Sequence, residues 1–520
     1  MPTVVDPIPS RSYFPMTKRH LAALFALIVC ILPTRVFGFS IVAYNVENLF
    51  DLDGTASYED YSSDKYTPRH LSVKARNAAK VLSTVDAGRG PDVVILNEIE
   101  IDQTPDAAGP KAGDWLDSVK GLTLEEVLST SPLPPETASL PAEFWLLKAL
   151  EDAGLGRYHL AIPDEPPGSY EDGRPRSVKN VILSRFPITA VKTHHTLNAR
   201  AILEAQLDVN SHPLTVFANH WKSGAGDFDN ERIRMANAST LRDRLNDIFK
   251  QDPAADVILA GDFNSHYNQT LRYPNFKKSA INEVLGAQGN ETALSSGKAD
   301  LYNLWFELPA EKRGSDVYQN KWGTLMHLIV SRGLYDNKGL QYEDNSFKVL
   351  AIPGLNSDSL GRPLRWSRGS NPSGFSDHFP ILAGLRVADA KSTEQWMPLT
   401  KPSIADAENV PPVREVSAEE IFAKAINPAK ELPNTDFRKP EWLGKVFLID
   451  APAQVGKRGV VTVDFNGISY PLFSPDKDTR NRLRDLAKTH SKLRFYAQLN
   501  TFKGEWQFFL PAADWILENN

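Results

Sequence analysis

Strand-length apolar runs recur along the first two thirds of the chain: SIVAYNV (40–46), DVVILNE (92–98), NVILS (180–184), LTVFANH (214–220), DVILAGD (256–262) and MHLIVS (326–331). Each is short, rich in Val, Ile and Leu, and bounded by polar or turn-forming residues, which reads as a buried β-strand rather than a helix. Stretches with helical period lie between them. NERIRMANASTLRDRLNDIF (230–249) repeats its apolar positions every three or four residues. LPAEFWLLKALEDAG (140–154) closes on Gly154 as a C-cap. Strands alternating with helices predict an α/β domain over residues 39–388. Residues 101–140 carry much Pro, Gly, Asp and Thr and read as a long surface insertion.

These runs stop abruptly at polar side chains. Asn45 and Glu47 close the first, Glu98 the second, Asn219 and His220 the fourth, and Asp262 and Asn264 the fifth, while GFSDHFPIL sets Asp377 and His378 just before a terminal strand. A polar residue at a strand end is ordinary, because strand ends lie near solvent, and each of these alone reads as structural. Together they form a chemical set. Glu47, Glu98, Asp262 and Asp377 are hard oxygen ligands of the kind that suit Mg²⁺, Mn²⁺ or Ca²⁺ rather than zinc. Two histidines could donate to phosphate oxygens or carry protons. The inventory fits metal-assisted hydrolysis of a phosphate ester.

The ends of the chain bound the context. Lys18, Arg19 and His20 precede the apolar run LAALFALIVCIL (21–32), and Val36 and Gly38 stand where a signal peptidase would read small residues. Residues 1–38 are therefore read as a cleavable signal peptide, with Met16 as an alternative start. This implies a periplasmic or secreted protein, cut near Gly38 and Phe39, with no stable membrane association after cleavage. The run falls short of the ~20 residues that span a bilayer. The only cysteine, Cys30, lies inside it, so the mature chain would have no disulfide or thiolate ligand and would draw its stability from its core or from bound ions. The net charge of −6 excludes whole-chain attraction to nucleic acid, so any polyanion site must be local.

AYNVENLFD, PDVVILNEIE, NHWKSG, LAGDFNSH and SDHFPIL, in this order, resemble the endonuclease/exonuclease/phosphatase superfamily, the DNase I-like fold, from about residue 40 to 387. NVENLFD and NHWKS are most similar to its bacterial secreted nucleases. The resemblance implies a four-layered α/β sandwich, two stacked mixed sheets flanked by helices, with the site at one end of the stack. It implies Glu98 as the principal metal-binding carboxylate, Asn45 beside it, Glu47 as a second metal-binding acid and Asp377 close to the metal. His220 and His378 would contact the scissile phosphate, Asp262 would orient or deprotonate the attacking water, and Asn264 would be its partner on the phosphate side. Asn180, Arg200 and Lys222 are further candidates for substrate contact, each with a structural reading of equal weight. One position departs from the pattern. Met326 in TLMHLIVS stands where the family has an aspartate bonded to the last histidine, here His378. The expectation is that His378 loses the partner that favours its protonated form, unless another acid substitutes.

Residues 389–440 are proline-rich and read as a linker. Residues 441–520 hold five strand-like runs with the helical DTRNRLRDLAKT (478–489) after the third, the element order of an OB-fold barrel, and DFNGIS carries a hairpin-forming Asn-Gly. Its candidates for nucleic-acid contact are Phe495, Tyr496, Trp506, Phe508 and Phe509, with Arg480, Arg484, Lys492 and Arg494, although alternate aromatics in a small barrel are more often core. The function these readings imply is an exported, divalent-metal-dependent phosphodiesterase, a nuclease with DNA or RNA as its partner. The alternatives are a phosphomonoesterase or lipid phosphodiesterase acting on sphingomyelin or inositol phosphates, and a catalytically weakened nucleic-acid-binding protein. No protein partner is inferable.

Overall fold

Two sheets stack face to face in the first domain, because their strands carry apolar side chains on both faces. The computed structural model describes residues 38–517 apart from 105–110, 320, 359, 389–390, 405–420, 424, 429–431, 433–434, 457 and 503–504. The signal-peptide reading, with Met16 and Cys30, falls on residues outside those described. Among the described residues, no helix is long and apolar enough to cross a membrane.

The first sheet is built around β1 (Phe39–Leu49) and β2 (Val93–Glu100), which run parallel. β3 (Val178–Ser184) pairs antiparallel with β2. In the second sheet β4 (His212–His220) runs parallel to β5 (Val257–Asp262), which pairs antiparallel with β6 (Met326–Ser331). β7 (Ile381–Val387) returns to the first sheet, antiparallel to β1. Shorter strands widen both sheets at their edges.

Four layers follow from the two faces of each sheet. Ile41, Ala43, Val93 and Ile95 meet Val216, Ile258, Ala260 and Leu328 between the sheets. On the outer face of the first sheet, α1 (Pro68–Leu82) and α2 (Ala142–Asp152) cover Val42, Tyr44, Val94 and Leu96 with Leu71, Ala75, Leu146 and Leu150. On the outer face of the second, α3 (Phe228–Gln251) covers Phe217, Leu259 and Ile329 with Ala238, Leu241 and Leu245. Asp227 caps α3 by accepting the Asn230 N–H, satisfying one of the donors a helix start leaves open. The stretch read as a surface insertion is partly core. It contains short helices at Ala112–Ser118 and Leu124–Leu128, whose Trp115, Leu116, Leu124 and Leu128 pack with α1 and α2.

The C-terminal strands close into a barrel. β8 (Val446–Val455), β9 (Val461–Phe465), β10 (Ile468–Phe473), β11 (Lys492–Phe502) and β12 (Glu505–Phe509) pair in the order 8-9-10-12-11-8, with α4 (Lys477–Thr489) after the third. The parallel β10–β12 pairing completes the circle, as in an OB-fold. Asn466 and Gly467 both take positive φ at the β9–β10 turn, as a two-residue hairpin requires.

Phe37–Asn520 form one compact unit. Trp396, Met397 and Leu399, in the proline-rich stretch, pack against the intersheet core. Gln498 of the barrel accepts from Arg362, donates to Asp358 and to the Gly444 carbonyl, joining the barrel to the first domain through side chains.

Candidate functional site

Parallel pairing brings the polar ends of β1 and β2 together in one sheet and those of β4 and β5 together in the other. Asn45 lies opposite Asn97, and His220 lies opposite Asp262. Between Ala260 and Asp262, Gly261 sits at φ +121°, where a Cβ would fall 2.2 Å from the Asn219 carbonyl oxygen, so only glycine lets β5 come this close to β4. The ladders of β1 and β2 are irregular just past Asn45 and Leu96, and Glu47, Asn48 and Glu98 take positive φ there. Such bulges turn side chains away from the sheet's ordinary alternation, here toward the gap between the two sheets' ends.

Ligand atoms of Glu98, His220 and Asp262 lie within 4.8 Å of one another. Asn45 Nδ2 donates to Glu98 Oε1 (3.0 Å) and to Asp262 Oδ2 (3.1 Å), holding the two carboxylates at a fixed separation. His220 Nε2 is 3.9 Å from Glu98 Oε1 and 3.7 Å from Asp262 Oδ2. His378 Nε2 reaches the same Asp262 oxygen from the other side, at 3.7 Å, and is buried without a hydrogen-bond partner. Its Nδ1 is held by Asp377 Oδ1 at 2.8 Å. The Asn264 N–H donates to Asp262 Oδ1 (2.9 Å) and its Nδ2 to the Trp221 carbonyl (3.2 Å).

The two histidines differ in charge. Burial, reinforced by Arg200 and His378, holds His220 well below the usual imidazole range, so it is neutral. Burial also disfavours a charged His378, yet Asp377, Asp262 and Asp316 hold it well above that range. The site therefore has one imidazolium, not two. Met326 does not strip His378 of a charge partner. It lies opposite Asp262 in register, fully buried in the intersheet core, while Asp377 bonds the ring and Asp316, from the Asp316–Tyr318 strand of a nearby hairpin, adds its charge. His327 faces away, its Nε2 2.8 Å from the Ser265 carbonyl oxygen. Burial, then the charge of Asp377, raises Glu98 to about 7. A half-neutral carboxyl beside a second buried carboxylate fits a bound cation, which would relieve both, and the oxygen-rich donor set suits a hard divalent ion.

Other expected residues stand one step back. Glu47 bonds to the Arg365 guanidinium (3.0 Å) and to the Trp366 N–H (2.8 Å), and Arg365 also reaches Asp377 (3.2 Å). Neither carboxylate belongs to the three-residue group, and Arg365 supplies the positive charge between them. Asn180 does not face the site: it is fully buried, donates to the Ala201 and Ala218 carbonyls, and accepts from Asn97. Arg200 donates to the Trp221 carbonyl (3.4 Å), and its charge acts on Glu98 and His220. Lys222 is half-buried in the field of Arg174 and Arg200.

Residues 176–387 match the profile described as the Endonuclease/Exonuclease/phosphatase family. That match spans less than half of the chain. No curated protein matches the chain. Among solved structures, truncated Caenorhabditis elegans TDP2 aligns at 14% identity and TM-score 0.34, over 67% of this chain and 98% of that one. The human Nocturnin catalytic domain with bound sulfate aligns at 14% and 0.35, over 68% and 94%. An endonuclease/exonuclease/phosphatase family protein from Bacteroides thetaiotaomicron aligns at 14% and 0.36, over 69% and 98%.

Three neighbours of this site escaped the sequence reading. Arg365 and Asp316 come from loop and hairpin, where no periodicity marks them. Lys74 had a signal: a lysine on the apolar stripe of α1, beside Leu71, Ala75 and Ala78. Its Nζ donates to the Phe375 carbonyl (2.8 Å) and lies over the Trp366 ring, and burial lowers it to about 8 despite Glu47 and Asp377.

A cavity of about 660 Å³ opens from Glu47, Arg365 and Asp377 toward the barrel, where Phe473 and Phe509 line it. The barrel candidates divide accordingly. Phe495 and Phe508 are core, Tyr496 stacks on Phe422, and only Phe509 reaches the cavity. Arg480 and Arg484 bond to backbone carbonyls of the barrel itself.

Proposed function

We propose that the protein is an exported, divalent-metal-dependent phosphodiesterase that hydrolyses nucleic acid, DNA or RNA. The observation that carries this reading is the meeting of the Glu98, His220 and Asp262 ligand atoms within 4.8 Å, flanked by one imidazolium whose Nε2 has no protein partner. Glu98 would hold the cation, with Asp262 and His220 in reach. Bound there, Mg²⁺ or Mn²⁺, with Ca²⁺ as an alternative, would polarise the phosphoryl oxygen and offset its developing charge.

The protein's own groups supply the rest. Asp262, locked by Asn45 and the Asn264 N–H, is placed to accept the proton of an attacking water. His378 donates through Nε2 to a phosphoryl oxygen, and its charge, fixed by Asp377, is in place before substrate arrives. Neutral His220 donates a hydrogen bond without repelling the cation. Arg200, Lys222 and Arg365 give the rim local positive charge within an acidic protein, which supports a polyanion over a lipid. The cavity running to Phe473 and Phe509 supports an extended substrate whose bases stack on aromatics. The N-terminal basic and apolar stretch supports export into the periplasm or medium.

A panel with Mg²⁺, Mn²⁺ and Ca²⁺ against plasmid, single-stranded DNA, RNA and p-nitrophenyl phosphate esters tests the reading. Metal-dependent cleavage of nucleic acid, abolished by EDTA, is expected. Turnover of p-nitrophenyl esters with nucleic acids untouched would replace it with the phosphomonoesterase or lipid-esterase alternative, and no turnover of any substrate would refute it.

A further inference from the structure

Few large aromatic side chains are left in water. Among the described residues the exposed ones are Phe228, Tyr318, Phe473 and Phe502. Three of these four, all but Phe228, line the single cavity that opens beside Glu47, Arg365 and Asp377. One exposed ring is ordinary, because every folded surface keeps some apolar area, but rings gathered at one opening mark a contact surface. Tyr318 is the most exposed of them, at 73%.

The two walls come from different domains, and both are held firmly. Tyr318 ends the Asp316–Tyr318 strand, which pairs antiparallel with Lys321–Gly323. The root of that strand is tied to the catalytic site: Asp316 bridges His378 through the backbone, the Phe379 N–H donates to the Ser315 carbonyl (2.6 Å), and Asp316 Oδ1 accepts the Leu325 N–H (3.1 Å). Alternation along the strand puts Tyr318 on the same face as Asp316, about 7 Å farther out. A ring there is close enough to meet a base next to a phosphate bound at His378. On the barrel side Phe473 ends β10 and packs against Phe509 (ring centroids 6.1 Å), and Phe502 ends β11. Thr501 bonds to Ser367, and Gln498 to Asp358 and Arg362, so the barrel wall is fastened to the stretch that carries Arg365.

Charge and ring geometry narrow the occupant. Arg362 is bonded to Asp358 and Arg368 to Asp60, so these two add little net charge to the wall. Arg365 stays 69% exposed although it bonds Glu47 and Asp377, and can also meet a backbone phosphate. The rings need flat faces to cover. Bases of a single strand offer theirs, whereas paired bases in a duplex cover one another and show a protein only their edges. We infer that this cavity is a single-strand slot, in which Tyr318 on one wall and Phe473 and Phe502 on the other stack on unpaired bases, with Arg365 at the backbone between them, so that single-stranded nucleic acid is preferred over duplex. The inference rests on the phosphodiesterase reading above and narrows its substrate.

The test is fluorescence anisotropy of the full chain with a short labelled oligonucleotide, in DNA and in RNA, as a single strand and as a blunt duplex of the same sequence. EDTA is present so that nothing is cleaved. The single strand is expected to bind about tenfold more tightly than the duplex. Tyr318→Ala should weaken single-strand binding about tenfold and Phe473→Ala about threefold, while Tyr318→Trp, which keeps a stacking face, should stay within about twofold of the parent. Tyr318 is exposed, so its replacement does not touch the core. Duplexes bound as tightly as the strands, an unchanged strand affinity in Tyr318→Ala, or equal losses on strand and duplex would each overturn the inference. So would self-association of the parent that Tyr318→Ala abolishes, which would give this wall to a second copy of the chain. The two readings fail separately. Cleavage of nucleic acid with strand and duplex bound alike would overturn the slot alone, and strand-selective binding with no cleavage of any substrate would support the slot and refute the hydrolytic reading.

Discussion

Two acidic clusters contain similar carboxylates and differ in what surrounds them. At the strand ends, Glu98 and Asp262 sit among His220, His378 and Arg200, with His220 Nδ1 and His378 Nε2 buried and unpartnered beside them. At the other cluster, Glu291, Glu307 and Asp344, with oxygens within 4.8 Å of one another, sit among tyrosine hydroxyls and backbone N–H groups, and burial raises Glu291 to about 7 and Glu307 to about 8. Carboxyls raised by burial among hydroxyls share protons and hold still. Carboxylates flanked by two imidazoles can work on a substrate. Surroundings, more than ligand type, separate structure from chemistry here.

The sharpest way to break this contrast is a dissociation. Glu98→Gln and Asp262→Asn are expected to lower turnover about 10³-fold or more, while leaving the Tm unchanged or higher, since each removes a buried charge. Glu307→Gln, outside the site, should leave turnover unchanged. If Glu307→Gln lowers turnover as Glu98→Gln does, the two regions are not different in kind.

Next in size is Met326→Asp. It places a second carboxyl in the intersheet core opposite buried Asp262 and should destabilise by about 2–4 kcal/mol. Because Asp377 and Asp316 already hold His378 charged, turnover measured from pH 5 to 9 should not rise. A gain in turnover would show that His378 lacks a partner after all.

Asp377→Asn is expected to cost about tenfold in turnover and to move the alkaline limb of the pH profile toward acid. The sign follows from His378. Its folded value lies above the ordinary imidazole value, so imidazolium persists as pH rises until that value is passed, and losing the Asp377 charge lowers it. The stability this charge contributes is likewise present below the unfolded imidazole value and lost as pH rises through the folded one. An alkaline limb that stays put would assign it to another group. The smallest effect is Phe473→Ala, expected to weaken turnover of long single strands about threefold and leave p-nitrophenyl esters unchanged. Equal losses on both would mean the barrel face does not touch substrate.

What the sequence made legible depended on contrast. Glu98, His220, Asp262 and Asn264 stand out because apolar runs stop on them, and the sandwich and barrel follow from the spacing of those runs. Lys74 was concealed by its helical stripe. Arg365 lies in a loop, where adjacency in sequence says little about proximity in space. Asn180 read as a substrate contact or a strand cap, but its amide is spent on interior backbone carbonyls. The apolar quartet in QWMPLT was masked by surrounding prolines, although Trp396 and Met397 fasten that stretch to the core. The cluster of Glu291, Glu307 and Asp344 has no sequence signature, because its oxygens meet only through tertiary packing.

Asn97 joins the two sheets. Its Nδ2 reaches Asn180 in its own sheet (2.7 Å) and the Asn219 carbonyl in the other (2.9 Å), and its Oδ1 receives the Asp262 N–H (3.0 Å). One amide therefore acts as a dowel, so neither sheet can creep along the other without tearing two bonds at once. Random variation that loosens the greasy interior would then spare the alignment of the reacting groups, and the protein should lose its shape before it loses its aim.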